Sequence, residues 1–144
     1  PGVVFCYPGC MKSIRVLIVD DISQVRQGLT TMLKLAAKNL SPSIEVVGEA
    51  QNGVDAIQLS SALHPDAILM DLEMPILNGY IATQSIKAVD PSPYIIILTI
   101  HDDPLTRQKA AQAGADAFVE KSAPLEGLIR AIQSANKVDF REAL

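Results

Sequence analysis

The chain has 144 residues, a single domain's length, and a domain of that size buries roughly 68–70% of its unfolded surface, enough for one sizeable core. Apolar residues make up 49% and charged residues 19%, spread over nearly the whole chain, which argues against disorder. A net charge of −4 with no Lys/Arg cluster along one helix argues against direct nucleic-acid binding, and no apolar run approaches the ~20 residues of a membrane-spanning helix.

The first residues, Pro1–Cys10, lack a starting Met and a positively charged leader. They read as an expression remnant or a family-specific extension (1–11), not as a signal peptide. Cys6 and Cys10, four apart, support neither a disulfide framework nor a four-ligand zinc site. A soluble, cytoplasmic protein is expected, with no membrane contact.

The first strand is expected at Ile14–Val19, running into Asp20-Asp21. Ser23 then caps a helix whose apolar positions Val25, Leu29, Met32, Leu33, Ala36 and Leu40 follow the 3.6-residue period. After a second strand, Ile44–Glu49, Asn52-Gly53 opens a helix that runs to Leu63 and stops at His64-Pro65. The third strand, Ala67–Met70, leads to Asp71, and a third helix spans about Gly79 to Val89. The fourth strand, Tyr94–Thr99, has the continuous apolar run of a buried strand, and its helix runs from Pro104 to a stop at Gly114. The fifth strand, Ala117–Val119, precedes Glu120-Lys121, and the last helix runs from Pro124 to about Lys137, leaving 138–144 as a tail, a linker's start or an extension of that helix. Strands alternating with helices predict an α/β fold, a doubly wound parallel sheet covered on both faces, as one domain over 12–137.

In such sheets ligands bind beyond the carboxyl ends of the strands. The residues there are Asp20, Asp21, Asp71, Thr99 and Lys121. Crowded carboxylates gain proton affinity unless a cation offsets them, and Mg²⁺ suits oxygen ligands, with Asp21 and Asp71 direct and Asp20 acting through water. Asp71 could then attack a phosphoryl group, the cation and Lys121 stabilising its oxygens and Thr99 donating a hydrogen bond, to give an aspartyl phosphate. Taken singly, Thr99 reads as an ordinary strand residue, Phe118 as a core aromatic and Lys121 as a solvated strand end; the functional reading rests on their conjunction. Asn52-Gly53 and Gly114 read as helix ends, and His64 and His101 as surface residues.

Val16-Leu17-Ile18-Val19-Asp20-Asp21, Leu69-Met70-Asp71-Leu72-Glu73-Met74-Pro75 with Gly79, Thr99, and Phe118-Val119-Glu120-Lys121 occur together in this order. By these motifs the chain, from about Lys12 to Lys137, resembles bacterial two-component response-regulator receiver domains of the CheY-like kind. The resemblance implies a flavodoxin-like (βα)5 sandwich with strand order 2-1-3-4-5. It also implies Asp71 as phosphoacceptor, a Mg²⁺ site completed by Asp20, Asp21 and the backbone carbonyl of Glu73, and a readout through Thr99, Phe118 and Lys121. The donor would be a sensor histidine kinase or a phosphotransfer protein docking near the first helix. Thr99 would move toward the phosphate and Phe118 turn inward. That changes the face of the fourth helix, fifth strand and fifth helix, where Leu105, Arg107, Glu126 and Arg130 would meet a partner or a second copy of the chain.

Two positions depart from the pattern. Pro124 stands three residues after Lys121 where the family often has a cis proline directly after the lysine, so the loop must be held otherwise. Ile100 stands where a small residue is frequent, which would narrow entry and slow loss of the phosphoryl group. Thr99-Ile100-His101-Asp102-Asp103 and the stretch Ala113–Ala123 look most like receivers of LuxR/NarL-type DNA-binding regulators, which implies transcriptional output. Alternatives are a single-domain regulator, a pseudo-receiver that binds without being phosphorylated, and a haloacid-dehalogenase-type phosphatase. The last wants Asp where Glu73 stands, so no enzyme activity is expected beyond Mg²⁺-dependent self-phosphorylation and autodephosphorylation.

Overall fold

Successive strand residues point to opposite faces, so a strand apolar at every position needs cover on both sides. In the first strand Ile14, Val16 and Ile18 enter one core, Leu17 and Val19 the other, and all five are buried. A computed structural model describes residues 13–142, with side chains to Asn136; the extension that holds Cys6 and Cys10 lies outside the described residues. The strands are β1 (Ser13–Val19), β2 (Ser43–Ala50), β3 (Ala67–Met70), β4 (Tyr94–Thr99) and β5 (Ala117–Glu120). The helices are α1 (Ser23–Ala37), α2 (Gly53–Leu63), α3 (Gly79–Val89), α4 (Pro104–Ala113) and α5 (Leu125–Glu142). All strand pairs are parallel, in the order β2-β1-β3-β4-β5.

Leu29 and Leu33 of α1 and Leu128, Ile132 and Ala135 of α5 cover one face with Ile14, Val16, Leu69 and Ile96. Ala56 of α2, Ala82 and Ile86 of α3 and Ala110 of α4 cover the other with Leu17, Ile68, Met70 and Ile97. Each fully buried Leu or Ile contributes about 1.5–3 kcal/mol, so both layers are firmly attached.

The expected elements stand, with corrections at two ends of α1. Ser23 is not its cap: Ile22, whose side chain has no acceptor, holds that position, and Val25 N and Arg26 N donate to its backbone carbonyl instead. The helix stops at Ala37, so Leu40 packs on the core from the following loop, and Met32, expected inside, is 43% exposed. Asn52 and Asn78 cap α2 and α3 by accepting from Asp55 N and Ile81 N, and Asp103 caps α4 from Thr106 N. Gly114 ends α4 at φ 106, a left-handed position that suits glycine. The last helix continues past Lys137 to Glu142.

Candidate functional site

Strand register brings the acidic residues together. Val19 pairs with Met70, and Asp71 N donates to Val19 O, so Asp20 and Asp71 leave adjacent strands side by side. Thr99 pairs with Glu120, and Lys121 N donates to Thr99 O at 2.7 Å, which sets the hydroxyl and the amine on the same edge. The chain leaves β1 toward β2 on one side and β3 on the other, so the crevice lies where ligands settle in doubly wound sheets.

Asp20, Asp21 and Asp71 each offer a carboxylate oxygen within 4.8 Å of the others. Asp20 and Asp71 are buried and Asp21 is exposed. Lys121 Nζ donates to Asp20 Oδ2 at 2.8 Å and lies 3.5 Å from Asp71 Oδ1. Asp20 Oδ1 accepts from Ile22 N, and Arg26 Nη1 holds the Asp20 carbonyl. Thr99 is buried, and its Oγ1 accepts from His101 N at 3.2 Å.

Burial is the largest influence on the Asp71 carboxyl and pushes it up; the Lys121 ammonium opposes this, and Asp20 and Asp21 add to it, leaving a pKa of about 6. Burial pulls the Lys121 ammonium down, but its hydrogen bond to Asp20 and the charges of Asp71 and Asp20 outweigh that and raise it. Such a cluster of hard oxygen donors, short of positive charge, fits a small divalent cation.

The raised carboxyl has a thermodynamic consequence. A folded pKa of about 6 against an ordinary 3.8 means the folded state binds more protons between those values, so stability falls as pH rises through that window. Asp71→Asn removes the titration. In metal-free buffer the stability difference between variant and parent is expected to widen in the variant's favour by about 1–2 kcal/mol from about pH 4 to about pH 7.5, after allowance for solvent screening. Urea denaturation at the two pH values measures it, and a pH-independent difference contradicts the assignment.

The loop after Asp71 is tightly built. Leu77 N donates to Pro75 O at 2.8 Å, closing a three-residue turn around Ile76, which stands at φ 71. A β-branched residue in that region is strained, and Ile76 is 78% exposed, so packing offers little in return. Ile76→Gly is expected to raise stability by about 0.5–1 kcal/mol, the relief of strain exceeding glycine's greater unfolded-state entropy. Chemical denaturation measures it, and a less stable variant contradicts the strain.

The expected site residues Asp20, Asp21, Asp71, Thr99 and Lys121 thus meet at one edge. Glu73 is exposed on the loop, and its carboxylate contacts His101 Nε2, a bridge between the loops after β3 and β4. That contact was not expected; neither loop carries a periodic pattern from which it could be read. Ile100 is 67% exposed. No cis bond follows Lys121; the loop is held instead by Ala123 N donating to Glu120 O and Ser122 Oγ to Glu120 Oε1. Phe118 is half-buried with the Arg107 guanidinium over its ring, and Leu105, Glu126 and Arg130 are exposed.

Residues 16–133 match the family model described as the response regulator receiver domain. The chain belongs to the response-regulator receiver family. It is 38% identical over 124 residues to the transcriptional regulatory protein LiaR of Bacillus subtilis, covering 86% of this chain and 56% of that protein. It is 40% identical over 110 residues to a protein-glutamate methylesterase/protein-glutamine glutaminase of Methanosarcina mazei, covering 76% of this chain and 29% of the enzyme. A two-component response regulator of the LuxR family from Aurantimonas superimposes with a TM-score of 0.78 at 32% identity, covering 87% of this chain and 86% of that one. The chain therefore spans about half or less of the curated relatives just named. It is a receiver domain of the two-component type, and its sheet order is that of the flavodoxin-like fold.

Proposed function

We propose that Asp71 accepts a phosphoryl group from a phosphohistidine on a sensor kinase or phosphotransfer protein, and that the domain signals the change through the face of α4, β5 and α5. The observation that carries this is the meeting of the Asp20, Asp21 and Asp71 carboxylates within 4.8 Å, with Lys121 Nζ against two of them. A carboxylate oxygen of Asp71 forms the new O–P bond as the donor's N–P bond breaks, its electron pair returning to the imidazole. Asp20 holds Lys121 in place, and Lys121 donates to a phosphoryl oxygen as charge develops there. Thr99 turns its hydroxyl from His101 N toward another phosphoryl oxygen. Asp20, Asp21, Asp71 and the Glu73 carbonyl would hold Mg²⁺, which supplies charge compensation for the carboxylates and the phosphoryl oxygens.

The similarity to LiaR and to a LuxR-family regulator supports transcriptional output from a cytoplasmic protein. The methylesterase relative carries its similarity over 29% of its length, so its activity is not transferred. Among the described residues no helix is long and apolar enough to cross a membrane. A homodimer through the face of α4, β5 and α5 is part of the proposal, with exposed Leu105, Glu126 and Arg130 as contacts.

Acetyl phosphate with Mg²⁺ is expected to add one phosphoryl group to the parent and none to Asp71→Asn, read by intact mass. An unchanged parent mass favours a pseudo-receiver, and steady turnover of an aryl phosphate favours a phosphatase.

A further inference from the structure

Phe118 lies half-buried on β5, and a cation covers it. The Arg107 guanidinium carbon sits 4.5 Å from the centre of the Phe118 ring. Arg107 Nε donates to Asp102 Oδ1 at 2.5 Å, and Glu120, two residues past Phe118 on the same face of β5, adds negative charge nearby. This contact holds the Asp102 carboxyl below its ordinary range and raises Arg107.

Two observations tie this group to the acidic site. Asp102 lies in the segment 100–103 that joins Thr99 to α4, and the backbone of that segment is bound to the Thr99 hydroxyl through His101 N. Turning the hydroxyl toward Asp71 breaks that bond and so releases a backbone tie of the segment that carries Asp102. Beside the ring is a cavity of about 200 Å³ lined by Arg107, Ala110, Ala111, Ala115 and Ala117 together with Phe118 itself, so small side chains leave room beside the ring on its α4 side. The arginine, not close packing, restrains it there.

We propose that Asp102 and Arg107 are positioning residues for Phe118, a latch that holds the ring in its half-buried place until the segment 100–103 rearranges on phosphorylation. The inference rests on the phosphoacceptor reading of Asp71. Loss of the latch shifts the ring toward its phosphorylated position with the acceptor untouched. An exposed ion pair and one stacked cation limit the shift to about tenfold in the ratio of the two positions.

The chain has three phenylalanines, so labelling with 4-fluorophenylalanine gives few resonances, and Phe118→Leu identifies the one that matters. Beryllium fluoride with Mg²⁺ serves as the phosphoryl mimic. Asp102→Ala is the deciding variant because it leaves both the ring and the guanidinium stacked on it in the chain and removes the carboxylate that holds Arg107. Its resting Phe118 resonance is expected part-way toward the position that the parent reaches with beryllium fluoride. Asp102→Glu restores the resting position, and Asp102→Ala combined with Arg107→Ala populates the phosphorylated-like position no further than the stronger single variant. A resting Asp102→Ala resonance at the parent's place, in a parent that does respond to beryllium fluoride, overturns the latch alone. A parent that ignores beryllium fluoride overturns both the latch and the phosphoacceptor reading.

Discussion

Gly79→Ala is expected to lower the melting temperature by roughly 10 °C, the equivalent of about 3 kcal/mol in a domain of this size. A Cβ at position 79 would lie 2.1 Å from the Asp71 carbonyl oxygen and 2.9 Å from the Leu72 Cα, both backbone atoms that cannot swing aside. Gly79 N also donates to Leu72 O at 2.9 Å, which fixes the first turn of α3 against the end of β3. Helix propensity alone predicts the opposite sign, because alanine is favoured over glycine by about 1 kcal/mol inside a helix. The clash is larger than the propensity, so the sum is destabilising. Gly28→Ala in α1 is the control: nothing lies within 4 Å of its Cβ, and it should stabilise by about 0.5–1 kcal/mol. Thermal melts of both variants decide the matter. If Gly79→Ala melts within about 2 °C of the parent, the helix start can retreat from Asp71 without loss.

Much of this architecture was legible because its signals are periodic or local. The buried run of β4 and the two-sided alternation of β1 announce a covered parallel sheet, and Asn52, Gly114 and the prolines near 65, 91 and 93 mark helix ends within a residue or two. The acids, the hydroxyl and the amine could be gathered because strand ends share one edge in this fold. The start of α1 escaped because the backbone geometry at Ile22 already satisfies the first turn, with Asp20 rather than Ser23 accepting from the segment before it. The contacts of Glu73 with His101, and of Asp102 with Arg107 and Phe118, escaped for another reason. They join loops and elements through side-chain rotamers, which no spacing rule encodes.

Lys121→Ala is expected to reduce the rate of phosphorylation by acetyl phosphate about 100- to 1,000-fold, the usual loss when one donor to a developing charge is removed. It should also destabilise the metal-free protein. Asp20 is 1% exposed, and its Oδ2 has the Lys121 ammonium as its partner; without it a buried carboxylate faces Asp71 and Asp21, and Arg26 binds only the Asp20 backbone carbonyl. Removing one member of a fully buried pair costs about 3–5 kcal/mol, but the Lys121 side chain is 22% exposed and water can enter, so about 2 kcal/mol is expected. The two effects separate with Mg²⁺. A divalent cation among the three carboxylates can offset their repulsion, so saturating Mg²⁺ should return most of the lost stability. It cannot supply the hydrogen bond that Lys121 aims at the phosphoryl oxygen, so phosphorylation stays slow. Denaturation with and without Mg²⁺, beside time courses of intact mass, reads both. A rate within about threefold of the parent would leave Lys121 the task of holding Asp20 and no part in phosphoryl transfer.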